Sequence, residues 1–208
     1  MISRALAWPD MAGSCFTADA GHNKRLGGTG GFTLVLERQR VQRADDRDDD
    51  AGAAATHVEV LLRLVDAADA APLRGYVVKL ERGTGAIFPV ETLPADAQHM
   101  DCRDGGTAEE AVTHTSRAPK PAVELSARIP MSRIAHADTD AGEARGVLLQ
   151  VIAMPEFSAW FKFRQRLVRV PDTDPPRLEL TEAVAVSAAE DSEDADRDGL
   201  IRDTVHEL

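Results

Sequence analysis

Aromatic side chains and cysteines are scarce in this chain: its 208 residues include one tyrosine, two tryptophans, six phenylalanines and two cysteines. Two cysteines, Cys15 and Cys102, exclude a disulfide scaffold and leave at most one bridge or two free thiols. A long apolar run is missing too. The most apolar segment, Gly146 to Met154, is interrupted by Gln150 and is far shorter than the ~20 residues a membrane helix needs, so no membrane-spanning segment is expected. The N-terminus reaches Pro9 and Asp10 before a signal-peptide core develops, which points to an unexported, cytoplasmic protein. Positive charge is in the minority. With a formal net charge of -11, the molecule repels a nucleic-acid backbone and attracts cations or basic partners; no nucleic acid is expected as a ligand. Richness in Ala, Asp and Arg is of the kind found in bacteria with GC-rich genomes.

The sequence also has little helical periodicity. From Phe32 onward the dominant period is two, the spacing that sends alternate side chains of a strand to one face. Val58, Val60, Leu62 and Leu64 oppose His57, Glu59 and Arg63, and Val123, Leu125, Ala127 and Ile129 oppose Glu124, Ser126 and Arg128. Tyr76 to Leu80 is expected to turn through Arg82 to Gly85 and form a hairpin with Ala86-Ile87-Phe88. Val147 to Met154, apolar on both faces apart from Gln150, reads as a central strand. Phe157 to Val170 follows, and a weaker run extends from Leu178 towards Val186. Two helical alternatives stay open, at Thr107 to Val112 and at Pro155 to Arg166.

About eight strands with Gly and Pro punctuation predict an all-β fold, an antiparallel β-sandwich of immunoglobulin-like, C2-like or jelly-roll type. The sandwich is placed at 32–186, between a flexible N-terminal arm at 1–31, ending in Gly27-Gly28-Thr29-Gly30-Gly31, and an acidic tail at 187–208.

Counting alternate strand directions gathers the connections 43–56, 83–85, 131–145 and 171–176 at one end. Their carboxylates, Asp138 and Asp140 among them, form the oxygen-rich surroundings that calcium takes. The tail offers a second calcium candidate in Asp194, Asp196 and Asp198, followed by Gly199 and Ile201. This octet resembles the first half of an EF-hand or dockerin-type loop, in which acidic residues at positions 1, 3 and 5 precede Gly at 6. Val205 stands where the bidentate glutamate of an EF-hand belongs.

The segment 92–120 is expected at the opposite end as a long loop, carrying His99, Cys102 and His114. One His-x-x-Cys pair and a distant histidine are donors of the kind zinc takes, without the two paired spacings of a structural site. Lys162, Arg164 and Arg166, led by Trp160, form a basic stripe on one strand face. Cross-strand pairing or protection of a sheet edge is preferred for it over docking of an acidic partner.

No catalytic motif emerges. By elimination the expected role is a non-catalytic structural or adaptor protein, either homo-oligomeric or binding other protein subunits through edges, arm and loops. A calcium-dependent module for carbohydrate, lipid surface or protein is the first alternative. A metal-dependent hydrolase using the 92–120 segment is the second.

Overall fold

The computed structural model describes residues 25–43, 55–68, 71–100, 107–134, 146–156, 159–171, 173 and 175–187. Among these residues ten strands make two antiparallel sheets facing each other as a sandwich. The smaller sheet has the order β1 (Phe32–Arg43), β2 (Ala55–Asp66), β6 (Ala122–Pro130). In the larger, β8 (Ala159–Val170), β7 (Gly146–Glu156), β3 (Gly75–Leu80), β5 (Ala111–His114) and β4 (Ala97–His99) lie side by side. β9 (Arg177–Leu180) and β10 (Val184–Ala185) share the outer edge of β8. The expected all-β antiparallel sandwich is therefore the fold.

The period-two runs build the core as the pleat requires. Val58, Val60, Leu62 and Leu64 of β2 meet Val123, Leu125 and Ile129 of β6 in register, and both rows are buried against Val78, Leu149 and Phe163 of the larger sheet. Each fully buried Leu or Val contributes about 1.5–3 kcal/mol relative to an exposed one. β3 is buried on both faces. Its outward Val77 belongs to a second apolar cluster with Met100, Ala111, Ile152, Met154 and Trp160.

The structure revises two expectations and decides an alternative left open. Ala86 to Phe88 does not pair with β3, whose two sides are already taken by β5 and β7. Instead Gly83 (φ 68°) and Gly85 (φ 70°) turn the chain across the sandwich. There Ile87 exchanges both main-chain hydrogen bonds with Arg128 of β6, at 3.1 and 2.8 Å. Positive φ at both positions suits glycine because it has no Cβ. The segment 92–120 is not a single loop, since it holds β4 and β5. These strands are too short to show a period, and a three-residue 3-10 turn (Ala108–Glu110) precedes β5, capped reciprocally by Thr107 and Glu110. Finally, Pro155 and Glu156 at the end of β7 and the whole of β8 are extended and not helical, and β8 is covered on its outer edge by β9 and β10.

The strand ends flanking the acidic connections, Arg43, Leu80, Pro130 and Val170, lie at one end of the sandwich by antiparallel register. Asp138 and Asp140, like the Asp194, Asp196 and Asp198 set, are outside the described residues. The basic stripe divides on folding. Lys162 is buried, while Arg166 crosses β7 towards Glu81 (3.8 Å) and donates to the Gly146 carbonyl (3.2 Å).

Two side-chain amides join the sheets where β1 faces β8 and β9. Gln165 is buried between Phe163 and Leu167, on the inward face. Its Oε1 accepts the Leu34 N–H (2.6 Å), and its Nε2 donates to Leu34 O (3.2 Å) and Thr181 O (3.0 Å). Gln39 repeats the arrangement in reverse, accepting from Leu178 N–H (2.7 Å) and donating to Pro176 O (3.5 Å). Each amide behaves as a peptide group added between two strand edges.

Replacing Gln165 with Leu keeps the volume and removes four hydrogen bonds, leaving the Leu34 N–H buried without a partner among the described residues and its C=O with the Thr33 hydroxyl at 3.2 Å alone. An orphaned buried group costs ~1–3 kcal/mol, so Gln165→Leu is expected to lower the unfolding free energy by about 2–4 kcal/mol. Gln39→Leu, at a less buried position, costs less. Denaturant unfolding of both variants checks the order; equal stabilities would refute the account.

Candidate functional site

Two places concentrate polar chemistry: the histidine corner of the larger sheet and the outer edge of β6.

At the histidine corner, β5 pairs with β4 so that Ala97 opposes His114 and His99 opposes Val112. The two histidines thus share a face but stand one pleat repeat apart, ~7 Å at 3.4 Å per residue. Each ring is committed to the main chain. His99 Nε2 donates to Phe88 O at 2.7 Å. His114 Nδ1 lies 3.1 Å from the Tyr76 N–H and 3.2 Å from the Tyr76 carbonyl oxygen, and the Thr113 hydroxyl donates to that carbonyl at 2.9 Å. A Cβ on Gly75 would sit 2.7 Å from His114 Cε1, so glycine is what lets the ring lie flat over β3. Cys102, the third member of the expected zinc set, lies outside the described residues. Among the described residues no group of three or more His, Cys, Asp or Glu side chains comes together to hold a metal.

Tyr76 packs against His114, with ring centroids 5.9 Å apart at 44°, and its Oη is buried with no hydrogen-bond partner. Burial, and secondarily the Asp96 carboxylate, push the phenol well above its ordinary value. An orphaned hydroxyl inside a core weakens the fold.

The edge of β6 is built differently. Arg128 exchanges main-chain bonds with Ile87, and Lys120 does so with Leu73 (2.8 and 2.9 Å). Alternate residues of a strand send N–H and C=O to the same side. Ala122, Glu124 and Ser126, between those two bridges, therefore present their main-chain groups to the same outer edge. Among the described residues no neighbouring strand meets them. Beside this edge runs a groove of about 590 Å³, floored by Leu61 and Ser126 and walled by Thr92, Pro94 and Asp96 on one side and Pro119 to Pro121 on the other. At its Pro119–Pro121 end Lys120 is pinned by Asp96 (3.2 Å), Ser116 O (2.7 Å) and Ala118 O (3.1 Å). At the far end Arg128 lies between Glu59 (3.7 Å) and Glu91 (3.5 Å). Glu124, in the middle, is exposed. Its register partner Arg63 points to Glu37 at 3.5 Å.

Sequence reasoning missed this site. Its alternation marks β6 as a strand but not as an edge; Pro119 and Pro121, which lack a donor N–H just before the strand, were the available signal.

The chain's single tyrosine makes the corner testable. The unfolded phenol ionises near ~10, whereas the folded one holds its proton. Stability is therefore fully present below that value and falls as pH climbs towards the raised one. Phenolate absorbance is expected to appear together with the loss of folded circular dichroism in alkali, not before it. Tyr76→Phe is expected to leave stability unchanged or raise it by about 1 kcal/mol; a loss larger than that would show that the hydroxyl has a partner.

No protein-family model and no curated protein sequence matches the chain. Among solved structures it is similar to the Reelin-N domain of F-spondin, at a TM-score of 0.40 and 16% identity, over 68% of this chain and 90% of that one. It is similar to the human F-spondin reeler domain in two fragments. The first has a TM-score of 0.40 and 16% identity over 68% and 92% of the two chains. The second has a TM-score of 0.36 and 14% identity over 64% and 82%.

Proposed function

We propose that this protein is a non-catalytic domain that binds other protein subunits, and that it does so through the outer edge of β6. The carrying observation is the row of main-chain donors and acceptors at Ala122, Glu124 and Ser126, held open between two bridges and lined by a groove. A strand edge of this kind is a template for another polypeptide, because main-chain hydrogen bonding is the one recognition chemistry every partner protein carries. The histidine corner supports the same reading. His99 and His114 spend a ring nitrogen each on holding Phe88 and Tyr76, a use that stabilises the sandwich. Among the described residues no helix is long and apolar enough to cross a membrane.

Photo-cross-linking in the cells that make the full chain tests this reading. A benzophenone amino acid at Glu124 is expected to capture a discrete polypeptide, and the same probe at Val184, exposed on the opposite edge, is not. No adduct at Glu124, or equal adducts at both positions, would overturn it.

A further inference from the structure

We infer that the β6 groove takes a short, extended, basic segment of a partner protein, which adds to Ala122–Ser126 as a strand. This rests on the protein-binding reading above and adds the chemistry of the occupant.

Length comes first. The bridges at Lys120 and Arg128 bound the open edge at both ends. Eight residues at ~3.4 Å each separate them, roughly 27 Å, and a strand fitting between the crossing segments has about five residues. A long strand would collide with the main chain at Leu73 or Ile87. The slot therefore selects a short extended stretch whose flanks turn out to solvent.

Charge comes second. The cations at the two ends are already matched, Lys120 by Asp96 and Arg128 by Glu59 and Glu91. Glu124, on the open edge itself, has no ion pair among the described residues, because Arg63 is turned to Glu37. The balance at the groove is negative, on a chain whose net charge is -11. An incoming strand with Lys or Arg on the side chain facing Glu124 gains attraction both at contact and during approach. A second copy of this chain is disfavoured on the same ground, since pairing β6 with β6 would bring Glu124 near its own counterpart. The copy's edge is also bounded by the same two crossings.

Geometry comes third. Main-chain bonding on one side only means that alternate amides of the occupant carry the interaction. Proline at Ser126 would remove one donor from the open edge, and it spares the β2 ladder, which uses Leu125 and Ala127.

The probe is a fluorescent seven-residue peptide of alternating Lys with Val or Thr, titrated against the full chain by anisotropy. Saturable binding is expected, at least about tenfold weaker with Glu124→Lys or with Glu replacing Lys in the peptide. Ser126→Pro is expected to abolish it. Two N-methylated versions of the peptide, blocked at odd or at even amides, keep the test independent of any variant's folding: one is expected to bind as the parent does and the other not at all. No binding by the parent peptide, or equal binding by both methylated peptides, would overturn strand addition. Equal binding of the Lys and Glu peptides would overturn the basic occupant. A discrete Glu124 cross-link alongside either failure leaves the protein-binding reading standing and removes only its occupant.

Discussion

A sandwich of two open sheets must do something with the main-chain groups at its seams, and here Gln165 answers that need on one side. Its amide takes both main-chain groups of Leu34 and a third at Thr181. Leu34 is buried, so without the amide its N–H would be left unsatisfied. The two sheets are thereby tied at the height where Phe32, Leu34 and Phe163 meet, and the register of β1 against the larger sheet is fixed by a single side chain. Gln39 repeats the tie nearer the other end of the strand. A hydrophobic core alone is non-directional; the amides supply the direction.

The opposite seam is closed by the main chain itself. Leu73 bonds to Lys120 and Ile87 to Arg128, each a single residue crossing from one sheet to the edge of the other. This solution closes the two ends of β6 and leaves its middle. The result is an edge that is available yet protected: its length is capped by the crossings, prolines flank its start, and a carboxylate stands on it. Those are the devices that keep an exposed strand from open-ended pairing with copies of itself. On the proposed reading, the same features that discourage aggregation bound the slot for a different chain.

Legibility in the sequence followed the length of each element. β2 and β6 were readable because nine or more residues of alternation leave no doubt about which face is apolar. β4 and β5 were not, because three and four residues do not make a period. The expected hairpin at Ala86 to Phe88 failed for a reason outside local sequence: β3 has no free side once β5 and β7 are in place. Edge status is a property of the whole topology, so the open groove at Glu124 was hidden in an ordinary strand pattern. One strong signal was present and unused. Gln165 occupies an inward position between Phe163 and Leu167, and a lone amide there must find main-chain partners across the core.

The buried and half-buried polar side chains of this protein share a habit, which bears on what it does. Asp66 accepts from the Ala68 and Ala71 amides, Glu110 from Thr107 and Gly83, and His114 from Tyr76; Lys120 donates to Ser116 and Ala118. Each is turned towards peptide groups that the irregular parts of a sandwich leave unpaired. Among the described residues the strand edge at Ala122, Glu124 and Ser126 has no such partner, and it faces solvent. On the proposed reading, a polypeptide with its own unpaired main chain is the partner that suits this edge, since the exchange would release bound water and bury the groove at Leu61 and Pro94 against it.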